Sequence, residues 1–146
     1  VLQLNPIYEM FAPTMDDRFY AFSWDEVQMQ INKWNNEFWG FKGYILAKPG
    51  VNTIPIYEMF APTMNDRFYA FSWNEVQWQI NDWKNENWGL RGYILSEPEA
   101  NTQPIYEMYS PLLNDRFYVW SWEEVQMQIS KWENEYWGHR GYVFSK

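Results

Sequence analysis

The same stretch of sequence occurs three times, and this repetition limits the possible folds more than any other feature. The stretch begins at Pro6, returns at Pro55 and returns again at Pro104, a step of 49 residues each time. A repeat of this length is one supersecondary unit, which cannot bury its own apolar face and packs against its copies. We therefore expect one domain of three repeats. Its boundaries are 6–54, 55–103 and 104–146, within a single domain 1–146.

Each repeat is predicted to contain two strands, a helix and a third strand. In the first copy, β-rich residues run over 7–11 and 18–22, and a turn around Pro13 separates them. The last strand is expected over 41–46, and Gly43 there allows a close approach or a bulge. The predicted fold class is therefore α+β. It consists of three ββαβ repeats in a closed pseudo-threefold arrangement, with the helices on the outside.

The predicted helix has a clear beginning. Ser23 is followed three residues later by Glu26, which is a capping box, and both other copies repeat the pair. Apolar residues then recur at helical spacing for about four turns, at Trp24, Val27, Ile31, Trp34 and Phe38. We expect these two tryptophans to pack in the core and Gly40 to end the helix.

The segment before the first repeat is also expected to be ordered. Val1–Asn5 alternates apolar and polar side chains, which is typical of a short strand. We expect it to lie beside the C-terminal strand, because this pairing would close the ring and remove an exposed sheet edge.

Composition and charge exclude several classes of partner. The net charge of −8 argues against nucleic acid, which binds basic surfaces, and against anionic membranes. The chain has no cysteine, so disulfides and thiolate chemistry are excluded. No apolar run reaches the ~18 residues of a membrane span. We expect a soluble protein, and the sequence leaves open whether it is secreted or cytoplasmic and whether it forms oligomers.

The sequence does not predict an enzyme. It contains no Ser-His-Asp set, no recognisable metal-ligand cluster and no glycine-rich phosphate loop. Its carboxylates recur in near-identical copies, whereas acid–base catalysis needs groups in different environments. His139 is the sole histidine and replaces Phe41 and Leu90 of the other copies, as expected for a surface substitution. We expect no catalytic residue, no metal and no required cofactor.

Aromatic and charged residues that recur in all copies are the candidates for ligand binding. Aromatic residues make up 22% of the chain, and their flat faces suit sugar rings or planar ligands. Asp17 and Arg18 could hold sugar hydroxyl groups as a carboxylate–guanidinium pair. Alternatively, Arg18 could form an ion pair with a carboxylate of the same repeat, such as Glu9 across the hairpin, and Asp17 could make turn hydrogen bonds. The predicted ligand-binding residues are Tyr8, Asp17, Arg18, Tyr20, Trp39, Tyr57, Asp66, Arg67, Tyr69, Trp88, Tyr106, Asp115, Arg116, Tyr118 and Trp137.

The repeat resembles a family of secreted microbial and fungal repeat domains of unknown function. The shared motifs are Pro-x-Tyr, Asp-x-Phe-Tyr, a Glu in the helix and a closing Gly-Tyr, and they recur in all three copies. The chain departs from that pattern at Arg18, Arg67 and Arg116, where the family has His. In that family the domain is often attached to hydrolases, which implies a binding accessory. In composition and threefold character alone, the chain is also similar to the pink chromoprotein of oyster mushrooms.

Three hypotheses of function follow. The first is a non-enzymatic, lectin-like carbohydrate-binding protein with up to three similar sites that combine aromatic rings and carboxylates. The alternative is a chromoprotein or carrier that binds one flat aromatic molecule in a pocket near the pseudo-threefold axis, so that its possible cofactor is an aromatic chromophore. The third is a purely structural or storage protein. The expected partner is thus a glycan or a small aromatic ligand.

Overall fold

Each repeat folds into the same succession of two strands, a helix and a long third strand. The structure is a computed structural model that describes residues 3–145. No helix among these residues is long and apolar enough to cross a membrane. In chain order the elements are β1 Leu4–Ala12, β2 Asp17–Ala21, α1 Trp24–Trp34, β3 Glu37–Leu46, β4 Thr53–Ala61, β5 Asp66–Ala70, α2 Trp73–Trp83, β6 Glu86–Leu95, β7 Thr102–Ser110, β8 Asp115–Val119, α3 Trp122–Trp132 and β9 Glu135–Phe144. The predicted ββαβ unit is confirmed in all three copies.

The strands of each repeat form an antiparallel sheet with the first strand in the middle. β1 pairs with β2 across the hairpin, where Glu9 lies opposite Tyr20. On its other side β1 pairs with β3, and two register shifts mark bulges along this ladder. The third strand is longer than predicted and begins at Glu37 rather than Phe41. The same pairings recur in the second and third repeats.

The helices begin where the capping box predicts. The backbone N–H of Glu26 donates to Ser23 Oγ, and the Glu26 carboxylate accepts from the backbone N–H of Phe22 at 2.9 Å. The predicted C-terminus is wrong, because α1 ends at Trp34 and Asn35 adopts the left-handed conformation of a C-cap. Gly40 instead lies inside β3 with φ +131°. The apolar pattern beyond Asn35 therefore belongs to a strand.

The expected burial of the helix tryptophans is also wrong. Trp24 is 48% exposed and Trp34 is 58% exposed. The helix has only 11 residues, and its buried side chains are Val27 and Gln30. Because so short a helix covers only a narrow strip of the sheet, most of the apolar stripe remains in contact with solvent.

The repeats share one interior. Each repeat contributes an isoleucine near the start of its first strand and a tyrosine from its second strand to a common apolar cluster. The backbone N–H of Tyr20 donates to Tyr69 Oη at 3.0 Å, that of Tyr69 donates to Tyr118 Oη, and that of Tyr118 donates back to Tyr20 Oη. Each hydroxyl also donates to a tyrosine carbonyl of a neighbouring repeat. We call this cyclic arrangement the tyrosine ring.

The third strands make further contacts between repeats. β3 meets β6 at Leu46 and Tyr93, and the equivalent positions join β6 to β9 and β3 to β9. Each contact is a single residue pair, so the three sheets meet without forming a continuous ladder. The predicted closed ring of strands is therefore not confirmed.

The N-terminal segment does not lie where the ring prediction placed it. Val1 and Leu2 are outside the described residues, and Leu4 pairs with Leu46 of β3, in the same repeat. The Gln3 carbonyl accepts from the Ala47 backbone N–H, as Asn52 and Asn101 do from the corresponding residues of their repeats. The segment is thus the counterpart of the linkers between repeats. Its backbone groups form hydrogen bonds with β3 of the first repeat and the residue that follows this strand.

Candidate functional site

A groove lies between the second and third repeats. It has a volume of about 560 Å³ and combines exposed indole rings with charged and amide side chains. One wall comes from the helix and turn of the second repeat, and the other comes from the strands of the third repeat. The residues that line it are Thr63, Met64, Glu75, Trp78, Gln79, Trp83, Asn85, Glu107, Arg116, Trp137 and Arg140.

The aromatic walls of this groove are held in fixed orientations. Trp137 stacks on Tyr109 with ring centroids 4.5 Å apart and planes 16° apart. Its indole N–H donates to Glu135 Oε1 at 2.9 Å. On the facing helix, Trp78 and Trp83 meet edge to face at 6.0 Å. All three indoles are more than a third exposed, so part of each ring is open to a ligand.

Charged side chains form the polar part of the groove. Arg140 makes an ion pair with Glu107, in which the Nη2 and Nε atoms both lie 2.7 Å from Glu107 Oε1. Burial raises the pKa of Glu107, and the positive charge of Arg140 opposes this rise. The Arg116 guanidinium lies 4.0 Å above the ring of Phe68 in the second repeat and 5.3 Å from Trp137 in the third. Arg116 thus connects the two repeats at the groove.

Equivalent positions recur between the other repeats. A groove of about 350 Å³ between the third and first repeats is lined by Arg18, Ser110, Leu112, Leu113, Gln128, Trp132 and Asn134. The arginine–aromatic pairing is the same there, since Arg18 lies above Phe117 and beside Trp39. Between the first and second repeats, Arg67 lies above Phe19 and beside Trp88. The copies differ at Trp78, where the sequence has Met29 and Met127 in the other repeats.

The structure brings together two of the predicted residues of each repeat at the boundaries between repeats. They are the arginine and the last tryptophan of the repeat, namely Arg18 with Trp39, Arg67 with Trp88 and Arg116 with Trp137. The alternative ion pair of Glu9 with Arg18 does not form, because Glu9 pairs with Lys42 at 3.3 Å. This leaves the arginine side chains at the boundary between repeats.

The predicted tyrosines lie elsewhere. Tyr20, Tyr69 and Tyr118 form the tyrosine ring in the interior and are about 2% exposed. Tyr8 packs against Trp24 at the start of α1, with centroids 5.6 Å apart, and Tyr57 and Tyr106 repeat this contact. None of these tyrosines is among the residues that line the two grooves described above.

The three predicted aspartates converge on one point in the interior. Asp17, Asp66 and Asp115 are at most 2% exposed, and each places a carboxylate oxygen within 4.8 Å of the others. Burial and the neighbouring carboxyl groups raise the pKa of Asp17 to about 11 and that of Asp115 to about 8, and burial also raises the pKa of Asp66. We call these residues the aspartate cluster.

Sequence reasoning missed the aspartate cluster as a set, because it searched for ligand spacing within a single repeat. The usable signal was that Asp recurs at the same position of every copy, directly before the predicted second strand. It also missed Trp83 and Trp132, the counterparts of Trp34, because the helical pattern predicts a core position for this tryptophan. Their position in the last helical turn, followed by polar residues, was the available sign of exposure.

The family of the chain can now be stated. The model of a domain of unknown function, DUF5648, matches residues 2–93, which is more than half of the chain. The chain belongs to this family. No curated protein and no solved structure matches the chain. The expected resemblance to an uncharacterised domain family is thus confirmed, and the family gives no indication of a ligand or of a chromophore.

The interior offers little room for a flat aromatic molecule. The space beside the tyrosine ring, which Ile7, Phe22, Phe71 and Trp120 also line, is too small to hold a water molecule. The aromatic side chains of the three repeats fill it themselves. This packing does not favour the alternative of a pigment bound near the centre.

Proposed function

We propose that this protein is a non-enzymatic carbohydrate-binding protein that holds its ligands in the grooves between repeats. The observation that carries the proposal is the groove between the second and third repeats, where Trp83 and Trp137 from different repeats face the same space as an arginine–glutamate ion pair. The walls of the groove belong to two repeats, so a binding site there requires the repeats to be packed together.

The chemistry of the groove suits a sugar ring. A sugar has an apolar face of C–H groups, which packs against an aromatic ring, and a rim of hydroxyl groups. Because Glu135 occupies the Trp137 N–H and Tyr109 covers one face of the ring, the residue offers the exposed remainder of its indole surface to a ligand. Arg116 and Arg140 offer guanidinium groups, which form the stronger hydrogen bonds with hydroxyls, and the buried Glu107 holds Arg140 in place.

The number of sites follows from the repeats. We propose that the three units surround a pseudo-threefold axis and present up to three similar grooves. The volume of about 560 Å³ is typical of small-ligand sites. Since the grooves are open, each single site is expected to bind weakly, and linked sites raise the avidity for a surface that displays many glycans.

Replacing Trp137 by alanine is expected to weaken sugar binding in the groove between the second and third repeats by about 30-fold, which is typical of a tryptophan at the centre of an interface. A glycan array first identifies the sugar, and titration calorimetry then gives the affinity and number of sites. In a protein with three sites, the variant should lose one site and keep the other two.

The matched control is Trp122→Ala. Trp122 is 48% exposed, and Trp137 is 39% exposed, so the two side chains are similarly accessible. Trp122 packs on Tyr106 and Tyr136 and does not line the groove. This variant should keep the full number of sites. The proposal fails if the array shows no binding that free sugar competes, or if both variants lose binding equally. Recovery of a cleaved sugar after incubation would contradict a non-enzymatic role.

A further inference from the structure

The aspartate cluster is a second candidate site, and its role does not depend on sugar binding. Asp17, Asp66 and Asp115 stand at the first positions of β2, β5 and β8, so each repeat delivers one carboxylate to the same point. Their oxygens lie within 4.8 Å of one another and are shielded from solvent. Three like charges at this distance repel strongly in a buried environment.

Several of these oxygens lack any partner. Asp17 accepts from the backbone N–H of Arg67 at 3.3 and 3.4 Å. Both carboxylate oxygens of Asp66 and one of Asp115 are buried and accept no hydrogen bond from the described residues. An unpaired buried carboxylate is among the most costly features of a folded protein, so this cluster needs a positively charged partner or bound protons.

The nearby arginines do not fill this role. Arg18, Arg67 and Arg116 follow the three aspartates in sequence, but their guanidinium groups lie 4.0–4.4 Å above the rings of Phe117, Phe19 and Phe68. None of the ion pairs in the described part of the chain joins them to the aspartates. Their charge lowers the repulsion in the cluster without satisfying its oxygens.

We propose that Asp17, Asp66 and Asp115 together bind one divalent cation of the calcium class. The donors are all carboxylate oxygens, which hard cations prefer. Three oxygens around a cation at the Ca²⁺–O distance of about 2.6 Å lie up to about 4.5 Å apart, which a small contraction of the cluster would reach. Three bidentate carboxylates supply six oxygens, which is within the range for Ca²⁺. Mg²⁺ would require a tighter octahedron, and it retains several waters.

The test compares protein refolded in excess Ca²⁺ with protein refolded in a chelator, because refolding gives the cation access to a buried site. After removal of free metal, elemental analysis should find about one calcium per chain. The melting temperature should rise by several degrees relative to the chelator-treated sample. Parallel samples refolded in Mg²⁺ should retain less than a tenth as much metal.

Asp66→Asn is the decisive variant, and Asp82→Asn on the exposed face of α2 is its matched control. The first should lose the bound calcium and the calcium-dependent rise in melting temperature, and the second should keep both. The proposal is overturned if the wild-type protein binds no calcium and melts at the same temperature in Ca²⁺ and chelator, because the carboxyl groups then hold protons instead. It is also overturned if Asp66→Asn still binds one calcium. Should that variant fail to fold, the wild-type comparison decides alone.

Discussion

Gly92→Ala is expected to lower the free energy of unfolding by about 4 kcal/mol, which combines backbone strain at positive φ with overpacking of a filled contact. Gly92 has φ +153°, and a Cβ atom added there would lie 2.6 Å from the Leu46 carbonyl and 2.8 Å from Ile45 Cδ1. Both neighbours belong to the first repeat. The substitution therefore separates β6 from β3 at the point where the two repeats meet. Urea unfolding followed by fluorescence gives the change.

Gly89→Ala is the control for this prediction. Gly89 lies in the same strand and has φ +122°, but a Cβ atom there would meet nothing within 4 Å. It should show the cost of backbone strain alone, about 1–3 kcal/mol. If both variants lose the same stability, the contact of Gly92 with the first repeat contributes nothing measurable, which would contradict close packing of the first and second repeats at this point.

Tyr69→Phe is expected to cost about 2–5 kcal/mol, because it leaves two buried backbone groups without partners. The Tyr69 hydroxyl accepts from the Tyr20 backbone N–H and donates to the Tyr20 carbonyl. Both groups lie in the interior, where water cannot replace the lost hydrogen bonds. Burial raises the pKa of Tyr69 well above its usual value, so the hydroxyl stays protonated and able to donate.

The matched substitution is Tyr57→Phe, at a half-buried tyrosine outside the tyrosine ring. It should change the free energy of unfolding by less than about 0.5 kcal/mol, as most changes away from buried networks do. Equal and small effects of the two substitutions in chemical denaturation would mean that the ring of hydrogen bonds does not hold the repeats together.

The regular parts of the fold were predictable because they depend on local chemistry. The capping box at Ser23 needs only residues three positions apart, and the hairpin needs a turn around Pro13 between two β-rich runs. The end of the helix was not predictable in this way. Asn35 ends α1 in the left-handed conformation, whereas the apolar spacing continues to Phe38 and imitates a longer helix.

The site was only partly predictable because its parts come from different repeats. Arg116 and Trp137 are recognisable as repeated polar and aromatic residues, and they do meet at a groove. The opposite wall, with Trp83, depends on which helix face remains uncovered by the sheet. Tyr69 and Asp66 point into the shared interior, and this direction depends on how the three units pack. Single-repeat patterns contain no information on that packing.

The central claim is that the three repeats form one cooperative body around the tyrosine ring, and hydrogen exchange tests it most directly. The backbone N–H groups of Tyr20, Tyr69 and Tyr118 each donate to a hydroxyl of another repeat. All three amides should exchange with the same free energy of opening, equal to that of global unfolding. In Tyr69→Phe, the three free energies of opening should decrease by the same amount. Exchange of the three amides at clearly different free energies, with one far below global unfolding, would contradict the claim.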